Sequence, residues 1–78
     1  MNYDKYLEAF VEAFGVTREE AVEMEYGDNG VWDSAAHMIL ISTLEDQFDI
    51  MFDTEEIIDF NSFTKGMELL REKYNVEF

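Results

Sequence analysis

The chain has 78 residues, 47% of them hydrophobic and 15% aromatic, and a formal net charge of −14. That length fits a single domain, residues 1–78, whose few core positions are needed for packing rather than for a large internal active site. Cysteine is absent, which excludes disulfides, thiolate metal sites and a cysteine nucleophile, and the acidic balance disfavours nucleic acid and anionic membranes, whose phosphates need Lys and Arg.

The start, Met1-Asn2-Tyr3-Asp4-Lys5, lacks the basic residues and apolar run of a signal peptide. The longest apolar stretch, Met38 to Ile41, is far short of a membrane span. A soluble, cytoplasmic, freestanding protein is expected. Tyr3, Tyr6, Leu7, Phe10, Val11 and Phe14 then recur at helical spacing, with Asp4, Glu8 and Glu12 outside the stripe. This predicts a helix from about Tyr3 to Phe14, stopped by Gly15. Thr17 and Glu20 have capping-box spacing and predict a short helical turn. Gly27, Asp28, Asn29 and Gly30 mark a loop that ends at Trp32, a residue expected to pack over the core.

The next helix is expected from Asp33-Ser34 to about Phe48, with Asp33 as its N-cap and Leu40, Ile41, Leu44 and Phe48 inward. Glu45, Asp46 and Asp49 lie near its C-terminus, where negative charge opposes the helix dipole. A placement without structural gain points to partner binding. Ile50-Met51-Phe52 reads as a loop that drops Phe52 into the core. Asp53 and Glu56 suit the start of a short helix holding Ile57 and Ile58. Asn61 or Ser62 caps a last helix with Phe63, Met67, Leu70 and Tyr74 inward. Proline is absent, so nothing interrupts these segments. The expected fold is all-α, a four-helix bundle of three longer helices and one short third helix. The five methionines are expected to fill gaps in its core.

Among the candidate sites, Ser34, Asp33 and His37 suggest a serine hydrolase at first sight. No Gly-rich elbow precedes the serine and no oxyanion hole is apparent, so that reading fails. Asp46, Asp49 and Asp53 do not follow the ligand spacing of a calcium loop, and no dedicated metal site is expected. His37 reads either as a partly exposed helix residue or as a contact to whatever sits on Ser34, one turn away. Ser34 reads either as a helix cap or as an exposed hydroxyl whose phosphate ester would lie near the positive end of the helix dipole. No Lys or Arg occurs between Arg18 and Lys65, so the middle of the chain is anionic and suits basic patches on other proteins.

The run from Asp33-Ser34-Ala35 to Leu44-Glu45-Asp46-Gln47-Phe48-Asp49 resembles the signature of the acyl carrier protein family. In that family Asp-Ser-Leu opens the second helix and a Leu-Glu-acidic-x-Phe-Asp/Gly cluster closes it. Gly15-Val16-Thr17-Arg18-Glu19-Glu20 looks like the turn after the family's first helix. Thr54-Glu55-Glu56-Ile57 and Asn61-Ser62-Phe63 look like the starts of its third and fourth. The resemblance covers nearly the whole chain and implies an acyl-carrier four-helix bundle.

It also implies attachment of 4′-phosphopantetheine from coenzyme A to Ser34 by a phosphopantetheinyl transferase, in a non-enzymatic, monomeric carrier holding acyl groups as thioesters. Asp33, His37, Glu45, Asp46 and Asp49 would then be partner-recognition residues for acyl-activating or acyl-transferring enzymes, as in fatty acid biosynthesis. Ala35 departs from the family's leucine, and the next turn lacks its usual acidic residues. That departure suggests a specialised rather than a housekeeping carrier, with a surface beside Ser34 that is apolar unless Ala35 and Ile39 turn inward. A carrier of aminoacyl or peptidyl groups, and an unmodified acidic interaction module, are the alternatives.

Overall fold

The computed structural model describes residues 1–27 and 30–78, so Asp28 and Asn29 of the expected loop lie outside the described residues. Five helices run through these residues: α1 (Asn2–Phe14), α2 (Arg18–Ala21), α3 (Ser34–Phe48), α4 (Thr54–Asp59) and α5 (Phe63–Tyr74). The fold is that of a small all-α domain, with α1, α3 and α5 long and α2 and α4 short.

Each boundary has a local cause. Gly15 takes the left-handed conformation (φ 65°) and returns its N–H to the Val11 carbonyl, which stops α1. Thr17 and Glu20 close a capping box at the start of α2, and Asp53 and Glu56 close another at α4. Asp33 caps α3 by accepting from the Ala36 N–H at 2.9 Å. Ser62, rather than Asn61, caps α5 through the Lys65 N–H.

α1 packs against α3 and α2. It contributes Tyr6, Leu7, Ala9 and Phe10 to an aromatic core. Phe10 meets Phe63 edge-on at 4.9 Å between ring centroids and Trp32 at 5.5 Å, while Phe60 lies within 6.4 Å of Tyr6, Phe10, Trp32, His37 and Phe52. Burial of each such side chain contributes about 1.5–3 kcal/mol. Trp32 is fully buried, and Phe52 drops into the core as expected.

Two features had no counterpart in the sequence reading. An antiparallel bridge joins Glu25 to Ser62, with the Tyr26 N–H on the Asn61 carbonyl and the Phe63 N–H on the Met24 carbonyl. Gly66 sits mid-helix in α5 because an added Cβ would run into the Phe60 ring and the Tyr6 hydroxyl.

Several expectations are corrected. Met1, Met38 and Met51 are exposed, leaving Met24 as core and Met67 half-buried, so the methionines do not collectively fill gaps. α4 holds Ile57 and Ile58 as expected, with Ile58 71% exposed because a helix of six residues can turn only one narrow edge inward and Ile57 occupies it. Phe48, Met67 and Tyr74 face inward as expected, half-buried against the core. The acidic end of α3 also has structural use. Glu45 Oε2 accepts from the Phe52 N–H at 2.9 Å, and Asp49 adopts the left-handed cap (φ 54°) that aspartate tolerates better than most residues.

Candidate functional site

Ser34 is the first residue of α3, and it is exposed. Because Asp33 performs the capping, the Ser34 hydroxyl is not required to satisfy the helix N-terminus. The bland reading of Ser34 as the cap is therefore wrong for this helix. Its Oγ lies 3.3 Å from the Tyr26 hydroxyl.

His37, one turn on, is buried rather than partly exposed, at 7%. Its ring is fixed from both sides. Trp32 Nε1–H donates to Nδ1 at 2.9 Å, and the Ile57 carbonyl lies 2.7 Å from Nε2. Indole nitrogen only donates and a carbonyl only accepts, so the ring is the neutral Nε2–H tautomer. This chain of bonds ties the loop before α3 to α4. With both ring nitrogens engaged, His37 has no polar atom left for an outside partner.

Tyr26, His37, Ile57 and Ile58 line an open cleft of about 280 Å³, which Tyr26 links to Ser34. Tyr26 stands edge-on to the His37 ring at 5.5 Å. The cleft is thus a mainly apolar trough between the 24–27 segment, α3 and α4. Its volume falls just below the roughly 300–1,000 Å³ of pockets that enclose a drug-sized ligand.

α4 buries no residue fully; Ile57 packs half-buried against the core, and polar contacts supply the rest of its hold. Besides His37, Tyr74 Oη–H donates to the Met51 carbonyl at 2.8 Å and to the Glu56 carboxylate. The Tyr74 hydroxyl is held far above its ordinary ionisation range, first by desolvation and then by the Glu56 carboxylate it donates to. Burial likewise raises Tyr6, whose hydroxyl donates to the Phe63 carbonyl at 2.6 Å.

The outward face of α3 beyond Ser34 is apolar. Ala35, Met38 and Ile39 are exposed, the last two at 49% and 55%, so the helix is not rotated to hide them. Asp33, Asp46 and Asp49 are exposed and Glu45 is half-buried. Of the residues expected to meet partners, the structure brings Asp33 close to Ser34, turns His37 inward and leaves the other three at the far end of the helix. Tyr26, Ile57 and Ile58 were not read as site residues in the sequence. The signals available were an aromatic beside a glycine in a polar loop, and two adjacent isoleucines in a helix too short to bury both.

No helix among the described residues is long and apolar enough to cross a membrane. Comparison of the chain with protein-family models, with curated proteins and with solved structures finds no match.

Proposed function

We propose that this chain is an acyl carrier protein, a four-helix bundle of the acyl-carrier type in which α1, α3, α4 and α5 are the main helices and α2 is the turn between the first two. The observation that carries the reading is Ser34: an exposed hydroxyl on the first residue of a 15-residue helix, relieved of capping by Asp33 and touching Tyr26, which lines an apolar cleft. A phosphodiester on that oxygen fits. It would displace no cap bond, and the helix N-terminus favours an anion there.

Ser34 would hold 4′-phosphopantetheine, which supplies a thiol for thioester formation that a chain without cysteine does not have. The chain's own residues bind and present. Ser34 anchors the arm, and Ile57, Ile58 and the Tyr26 ring offer apolar contact beside it. His37 keeps the back of the cleft closed through its bonds to Trp32 and Ile57. Asp33, Glu45, Asp46 and Asp49 present negative charge to basic patches on a phosphopantetheinyl transferase and on acyl-activating or acyl-transferring enzymes. Catalysis resides in those cytoplasmic partners, and the carrier acts as a monomer. Ala35, Met38 and Ile39 give the partner an apolar centre next to Ser34, which favours a specialised carrier over a housekeeping one.

A second reading, an unmodified acidic module that docks a partner on α3, draws on the same exposed apolar stripe. Incubation with coenzyme A, Mg²⁺ and a broad-specificity phosphopantetheinyl transferase separates the two by intact mass. The carrier reading expects one phosphopantetheine per chain and none on Ser34→Ala. A wild-type mass unchanged by several transferases would falsify it.

A further inference from the structure

We infer that Tyr26 is the positioning residue for Ser34, a role that rests on the carrier reading for its consequence but on geometry for its existence. Tyr26 is held by backbone bonds on both sides. Its own N–H donates to the Asn61 carbonyl at 2.9 Å, and the next residue, Gly27, donates to the Trp32 carbonyl at 2.8 Å. Its ring stands edge-on to His37, which is itself fixed by Trp32 and Ile57. The hydroxyl that results is delivered to Ser34 Oγ at 3.3 Å.

Charge gives this contact its use. The segments that surround Ser34, from Glu19 through α4, contain no Lys or Arg, so they offer no cation to a phosphate. What these segments place against the Ser34 oxygen is a neutral hydroxyl, in a pair where either oxygen can donate. In the transfer, Ser34 Oγ bonds to the phosphorus of the coenzyme A diphosphate and the phosphoanhydride P–O bond breaks. Adenosine 3′,5′-bisphosphate leaves, and the serine proton passes to a base on the transferase. Tyr26 holds Ser34 in one rotamer before that step and donates to the phosphodiester after it. An exposed serine at a helix start otherwise samples several rotamers.

Tyr26→Phe keeps the ring against His37 and removes only the hydroxyl. Two readouts decide the matter. Hα–Hβ three-bond couplings of Ser34, measured by NMR on the apo protein, are expected to report a single rotamer in the wild type and averaging in Tyr26→Phe. With the transferase and coenzyme A, kcat is expected to fall roughly three- to tenfold, the worth of one hydrogen bond, while KM changes little. Identical couplings in the two proteins, or an unchanged kcat, overturns the assignment. Should wild type resist modification while the couplings still differ, the carrier reading fails and the positioning of Ser34 by Tyr26 stands.

Discussion

α1 and α4 are held in the molecule by different balances of burial and hydrogen bonding. α1 buries four side chains and packs along α3, whereas α4 buries none fully, packs only Ile57 against the core, and is tied down further by hydrogen bonds from His37 and Tyr74 and by its own capping box. Apolar burial is non-directional and uses up the side chains it employs. Hydrogen bonds to the backbone leave side chains free, and with Ile57 on the one inward edge of so short a helix, Ile58 faces solvent. The charge is divided unevenly along the chain. Thirteen of the nineteen acidic residues lie between Glu19 and Thr64 with no basic residue among them, while the remaining six share the rest of the chain with all five basic ones. The packed core, drawn from the whole chain, is a closed frame. Over the anionic middle of the chain lies an apolar-faced surface around one hydroxyl.

The frame should yield most to a change in volume. Gly66→Ala forces a methyl group toward the Phe60 ring and the Tyr6 hydroxyl and is expected to cost about 1–3 kcal/mol. A domain of this size loses roughly 4–8 °C of melting temperature per kcal/mol, so thermal unfolding reads the effect directly. A neutral Gly66→Ala would mean that the ring stack is looser than the contacts imply.

The hydrogen-bonded side should yield less. Tyr74→Phe removes the donor to Met51 and Glu56 and is expected to cost about 1 kcal/mol. Faster amide exchange in α4 than in α1 would accompany it. The tyrosines also set an alkaline limit. Tyr6 and Tyr74 are raised in the fold, while a tyrosine in the unfolded chain ionises near pH ~10. Their contribution is complete below about pH 10 and is lost as pH climbs toward the raised folded values. Urea midpoints should therefore drop above pH ~10, and less steeply in Tyr74→Phe. Equal slopes in the two proteins would remove Tyr74 from that account.

Salt acts on the anionic side as a whole. The Debye length shortens from about 30 Å at 0.01 M to about 10 Å at 0.1 M, so melting temperature should rise over that interval. The smallest expected effect is on α3 and α4 themselves. Ile39→Glu and Ile58→Glu alter exposed side chains and should leave stability within about 0.5 kcal/mol of wild type. A loss above 2 kcal/mol at either would show that these residues belong to the frame.

Much of the frame was legible in the residues. The stripe of α1, both capping boxes, the Asp33 cap and the inward Trp32 and Phe52 follow from spacing and local chemistry. What was not legible depends on contacts between distant segments. The 24–26 to 61–63 bridge involves backbone groups that any sequence could supply, and Gly66 has meaning only once Phe60 and Tyr6 converge on it. His37 turned inward because Trp32 and Ile57 offer a donor and an acceptor at matching distances, which no helical periodicity encodes. At the site, Ser34 and Asp33 were readable from the helix start. Tyr26 was not, since its approach to Ser34 is produced by the bridge.

The most direct test of the account is where, and whether, this chain takes up an arm. After co-expression with a phosphopantetheinyl transferase, intact mass and fragment mapping should find one phosphopantetheine on the peptide carrying Ser34. Ser34→Ala should remain unmodified and melt within a few degrees of wild type, because Asp33 carries the cap. An adduct on another residue, or an unmodified wild-type chain under conditions that load a control carrier, would contradict it.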